Sequence, residues 1–140
     1  MKISIIGLGY VGLIQAAGMA KLGHDVIGID IDKEKVENVN KKIPPIYEKG
    51  LKELLNEIVP KKLIATTEFN KTILDTDITF ICVGTPSKKQ GEMSLHQLEN
   101  VLRQLGEILK KKKFHLFVIK STVVPGTCEK VVIKTLEEAS

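Results

Sequence analysis

Three glycines in the first twelve residues restrict this chain more than anything after them. Gly7, Gly9 and Gly12 follow the apolar run of residues 2–6 and open the helical pattern of residues 11–22, which Gly23 stops. A strand that turns at once into a helix needs a residue without a side chain at the turn. Gly7 meets that need, Gly9 lets the backbone approach a bound group, and Gly12 allows close packing of helix on strand. This is the glycine pattern of a dinucleotide-binding turn, in which the backbone amides of Tyr10 and Val11 face phosphate from a helix N-terminus.

The rest of the chain repeats the alternation. Short runs rich in Val, Ile and Phe at residues 2–6, 25–30, 63–67, 78–83 and 115–120 read as strands. Helical spacing at 11–22, 33–41 and 50–58 separates the first three, with Pro44-Pro45 and Pro60 as stops. Ser94 and Gln97 fit a capping box opening a helix that runs to about residue 111. Thr127, after Pro125-Gly126, reads as the N-cap of a last helix. Strand and helix in alternation imply right-handed crossovers and a doubly wound parallel sheet, with order 3-2-1-4-5 and its ligand crevice at the carboxyl ends of strands 1 and 4.

Asp30 closes the second strand, 21 residues after Gly9. A carboxylate there accepts the two hydroxyls of an adenosine ribose and repels a 2′-phosphate, which selects NAD over NADP. Lys35, at the start of the next helix, reaches toward the same adenosine end.

Composition excludes several other classes. A length of 140 residues suits one domain, and 43% hydrophobic residues without a run of about 20 apolar ones point to a protein of the cytoplasm rather than the membrane. The net charge of +4 is spread over 21 basic and 17 acidic residues, with no basic stripe carrying interleaved aromatics, so nucleic acid is not an expected partner. The run Lys110 to Lys113 reads as the solvated end of a helix. Cys82 reads as a small buried hydrophobe, and two cysteines make neither a metal site nor a disulfide framework. Cys128 opens the last helix, where a helix dipole favours a thiolate.

Three further segments narrow the reading: "NVNKKIPPIYEKGL" at 38–51, "ICVGTP" at 81–86 and "IKSTVVPGT" at 119–127. In this order after the glycine turn, they resemble the N-terminal domain of the UDP-glucose/GDP-mannose dehydrogenase family. The resemblance covers essentially the whole chain. It implies an enzyme that oxidises the C6 alcohol of a nucleotide sugar to a carboxylate with two NAD⁺, as a homodimer when complete. By the same resemblance Thr85 lies along the ribose and nicotinamide side of the cofactor, and Thr122 contacts the cofactor and holds a catalytic water. Glu48 belongs to a loop near the active cleft. The last motif departs from the family's usual form, since its proline stands one position later.

The resemblance also implies what this stretch lacks. Family members add a sixth strand, a glutamate-bearing segment, a linking helix and a sugar domain with a nucleophilic cysteine in a glycine-rich motif, which neither Cys82 nor Cys128 matches. The expectation is a truncated cofactor domain over 1–140, inactive alone, with strand 5 left as an open edge. A reading of another class is a free-standing nucleotide-sensing module of a potassium transport system, which has the same glycine turn and acid but is not expected to carry Val83-Gly-Thr-Pro86 and Lys120-Ser-Thr-Val123 together. A β-hydroxyacid dehydrogenase, the other enzyme reading, is disfavoured by the 44–51 segment.

Overall fold

The computed structural model describes residues 1–89 and 91–140. Its strands are β1 (Lys2–Ile6), β2 (Asp25–Ile29), β3 (Leu63–Thr66), β4 (Ile78–Ile81) and β5 (Leu116–Ile119). They form one parallel sheet in the order β3-β2-β1-β4-β5, as the alternation predicts. The helices are α1 (Tyr10–Lys21), α2 (Lys33–Asn40), α3 (Leu51–Ile58), α4 (Phe69–Asp75), α5 (His96–Leu109) and α6 (Ile133–Ala139).

Alternation along β1 divides the interior. Ile3 and Ile5 face α1 and α3, where Leu13, Ala16, Leu55 and Leu63 are buried with them. Ser4 and Ile6 face the other layer, where Ile73 and Ile81 meet Leu98, Leu102 and Leu105 of α5. Truncating any one of these fully buried leucines to alanine costs about 2–5 kcal/mol. Both faces of β1 are therefore covered, which is why it reads as a continuous apolar run.

The polar member of that run heads a buried network. Lys112 donates to the carbonyls of Ile73 and Thr76 and, at 2.9 Å, to His115 Nδ1. An ammonium can only donate, so the imidazole proton sits on Nε2 and goes to Thr79 Oγ1 at 2.7 Å. Thr79 then donates to Ser4 (2.6 Å), Ser4 to Thr76 (3.0 Å), and Thr76 to the Thr72 carbonyl (3.0 Å). The chain satisfies every hydroxyl it passes and ties β1, β4 and β5 in register.

Four expectations need correction. Helix α4 was not foreseen: it has seven residues, too short for a convincing helical period. Ser94 caps nothing: α5 starts at His96 with Leu95 at its N-cap position, so Ser94 lies one residue too early, its amide donating to the Pro86 carbonyl at 2.8 Å. Thr127 has helical backbone angles, and its hydroxyl donates to the Val124 carbonyl at 2.7 Å instead of capping; a π turn at Cys128–Val132 precedes α6. Lys112 is drawn into the polar network and is not a solvated member of its run.

Candidate functional site

The turn after β1 is built from the residues that the glycine spacing singles out. Gly7 has φ +92°, and a Cβ on it would lie 2.7 Å from the Cys82 carbonyl oxygen. A Cβ on Gly12 would lie 1.7 Å from the Gly7 carbonyl oxygen, so α1 can sit this close only with glycine there. Leu8 turns inward and is fully buried, its methyl groups occupying the space over Gly28 of β2 where a side chain would otherwise stand. Gly9 differs from the others: nothing lies within 4 Å of where its Cβ would be. It precedes α1 without a side-chain cap, which leaves the first-turn amides of the helix beside an open space.

Asp30 binds this turn to β2. Its Oδ2 accepts the Leu8 amide at 2.7 Å and Lys35 Nζ at 3.3 Å, and its Oδ1 accepts the Asp32 amide at 3.0 Å. Lys35 is brought there by the first turn of α2, which Asp32 caps by accepting the amides of Glu34 and Lys35. A carboxylate carries about four acceptor positions and three are used here, so Asp30 can still receive a hydroxyl donor from the open side.

That open side is a cleft of about 710 Å³ at the carboxyl ends of the strands. Gly7, Gly9, Asp30 and Lys35 line it together, with Ile31, Phe69 and Val101 giving it apolar sides. The glycine turn, the acid and the lysine predicted from sequence thus share one cavity. Tyr10 and Val11 are not among the residues lining this cleft; they line a separate groove on the outer face of α1 with Ile14, Glu48 and Lys120. Tyr10 Oη shares its proton between the Tyr47 carbonyl at 2.6 Å and Glu48 Oε2 at 2.9 Å, and the carboxylate raises the phenol pKa.

Thr85 and Thr122 meet outside the cleft walls, where the ends of β4 and β5 run side by side. Thr85 Oγ1 donates to the Thr122 carbonyl at 2.7 Å, and Ser121 Oγ donates to the Val83 carbonyl at 2.7 Å. Thr122 is exposed, and its hydroxyl has no hydrogen-bond partner among the described residues. Burial pushes the Cys82 thiol up to about 11, against a smaller opposing effect of Lys120. Cys128 is exposed at the first residue of the π turn. Among the described residues no group of three or more His, Cys, Asp or Glu is placed to hold a metal, and no helix is long and apolar enough to cross a membrane.

Sequence reading missed four residues that line the cleft. Phe69 carries no local signal for a role there. Gln97, Asn100 and Gln104 also line it, and their signal is a row of uncharged amides at i, i+3 and i+7 on an otherwise charged helix surface.

Residues 1–140 match the family described as "UDP-glucose/GDP-mannose dehydrogenase family, NAD binding domain". The chain is 46% identical to GDP-mannose 6-dehydrogenase of Pseudomonas aeruginosa and 46% identical to a UDP-glucose 6-dehydrogenase of Haloferax volcanii, in each case over 100% of this chain and 33% of the relative. Among solved structures, a ternary complex of GDP-mannose dehydrogenase from Pseudomonas aeruginosa superposes with a TM-score of 0.96 at 45% identity, over 100% of this chain and 33% of the other. A UDP-glucose dehydrogenase from the archaeon Pyrobaculum islandicum gives 0.92 at 39% identity, over 99% of this chain and 32% of the other. The chain spans about a third of the length of these relatives. It belongs to the UDP-glucose/GDP-mannose dehydrogenase family, of which it is the NAD-binding domain.

Proposed function

We propose that this domain holds NAD in the cleft beside Gly9 and Asp30, and that the protein it serves oxidises the C6 alcohol of a nucleotide sugar to a carboxylate. The observation that carries the reading is the empty space at Gly9 opposite the Asp30 carboxylate, both on one cavity. Unpaired helix amides suit a pyrophosphate, and an acceptor-only group at the end of β2 suits a ribose hydroxyl. When bound, NAD⁺ supplies the hydride acceptor.

The chain's own residues divide the work. Gly7 and Gly12 shape the turn, and the amides of Tyr10 and Val11 hold phosphate beside Gly9. Asp30 fixes the ribose, with Lys35 steadying its carboxylate. Thr85 locks the tip of β4 to that of β5, and Thr122 presents a hydroxyl that positions water on the nicotinamide side. Alcohol to carboxylate is a four-electron oxidation that consumes one water and two NAD⁺, so an ordered water belongs to the chemistry.

In this reading residues 1–140 form one dinucleotide-binding domain that works in the cytoplasm, within a homodimer of the longer protein, and does not turn over alone. Two features support that. Burial raises the Cys82 thiol, and Cys128 lies in the π turn before α6 with no hydrogen-bond or ion-pair partner among the described residues. Among the described residues neither thiol is hydrogen-bonded to a base that could activate it for covalent catalysis on an aldehyde. The test is the 140-residue chain mixed with NAD⁺ and UDP-glucose or GDP-mannose, followed by absorbance of NADH. No turnover is expected, and sustained NADH production would contradict the inactive-alone reading.

A further inference from the structure

The first turn of α1 is held from two sides. On the inner side the Leu8 amide is bound to Asp30 at 2.7 Å. Gly9, at the N-cap position, has no side chain, so no cap fixes the amides of Tyr10, Val11 and Gly12, which an α-helix leaves without internal partners. On the outer side the tie is the Tyr10 side chain, whose hydroxyl shares its proton between the Tyr47 carbonyl at 2.6 Å and Glu48 Oε2 at 2.9 Å. Tyr10 is 55% exposed, so burial of its ring explains little of this placement.

The segment that Tyr10 reaches is itself anchored. Asn40, the last residue of α2, donates to the Ala65 carbonyl and accepts the Ala65 amide, both at 2.8 Å, which fastens the start of the segment to β3. The Ile43 amide donates to the Asn38 carbonyl at 2.8 Å, and Ile46 packs against the core that Leu51 and Leu55 of α3 enter. Pro44 and Pro45 restrict the backbone between these points. Tyr10 is therefore bonded to a fixed frame and not to a free loop.

We propose that the Tyr10 side chain is a positioning residue for phosphate: by tying the first residue of α1 to the 44–50 segment, it holds the free amides of that turn convergent on the space beside Gly9. The proposal rests on the cleft being the dinucleotide site. The hydroxyl touches no ligand and acts through the backbone it fixes. Without the tie, an uncapped helix end frays, and ordering it becomes a cost that falls on phosphate binding. The ribose side is spared, because Asp30 is held separately by Leu8, Asp32 and Lys35.

The test compares ADP, which reaches both places, with adenosine, which reaches only the Asp30 side, by NMR titration of the 140-residue chain. Wild type binds ADP more tightly than adenosine. Tyr10→Phe narrows that ratio about fivefold, the size of one hydrogen bond, by weakening ADP while adenosine stays within about twofold. Adenosine binding in the same sample shows that the variant is folded. Glu48→Gln, which keeps an acceptor for the phenol, retains the wild-type ratio. An unchanged ratio in Tyr10→Phe, or equal weakening of both ligands, overturns the proposal and leaves the cleft as the dinucleotide site. ADP no tighter than adenosine in wild type, or binding of neither, overturns both.

Discussion

The Asp30 carboxylate accepts the amide of Leu8 at 2.7 Å, so the acid at the end of β2 and the glycine turn after β1 are one hydrogen-bonded unit. Leu8 is fully buried, and its N–H has no water to fall back on. Asp30→Ala should lower folding stability by about 1.5–3 kcal/mol, the cost of orphaning a donor bound to a charged group. Asp30→Asn, which keeps an acceptor, should lose less than half of that. Urea unfolding of the three proteins checks it.

The glycines should separate stability from binding. Gly12→Ala forces a Cβ to within 1.7 Å of the Gly7 carbonyl oxygen and should cost upward of about 3 kcal/mol, or prevent folding. Gly9→Ala meets no protein atom and should change stability by less than about 1 kcal/mol. It should still weaken NAD⁺ binding at least about tenfold, because the methyl occupies the space kept for phosphate. Unfolding curves and calorimetry on the same samples read both effects.

Burial, aided by the neighbouring Lys112 charge, pushes the His115 imidazole from its ordinary 6.5 down to about 4. Between those values the unfolded chain binds the proton and the folded one does not. Stability is therefore complete above about pH 6.5 and falls as pH drops toward 4, by at most about 1.4 kcal/mol per unit. Urea midpoints from pH 7.5 to 4.5 should show this slope, and His115→Gln should flatten it.

The two thiols should react differently. With the Cys82 thiol raised to about 11 and partly buried, a thiol reagent at pH 8 should label one cysteine, the exposed Cys128, in the native chain and both after denaturation. Mass spectrometry of the labelled protein decides it. Fast labelling of Cys82 would contradict its reading as a buried, unreactive thiol.

Backbone requirements were legible in the sequence, and relationships between side chains were not. Gly7 and Gly12 could be placed because sterics at a strand-to-helix turn are local, and the sheet order followed from the alternation of elements. Asp30 was legible as a position, yet its bond to Leu8 depends on how two strands lie side by side. The same holds for Thr85, whose bond to the Thr122 carbonyl joins segments 37 residues apart. Helix α4 was missed because Phe69 to Asp75 is too short to show a period, and Ser94 misled because α5 starts one residue later, with Leu95 at its N-cap position. The exposed amides of α5 read as ordinary helix surface until the fold put a cavity beside them.

Calorimetric titration of the chain with NAD⁺ and with NADP⁺ tests the central claim most directly. Asp30 faces the cleft with its carboxylate already engaged by Lys35, so a 2′-phosphate would meet a negative group whose nearest cation is taken. One NAD⁺ should bind per chain, at least about tenfold more tightly than NADP⁺. Equal or tighter binding of NADP⁺, or no binding of either, would contradict it.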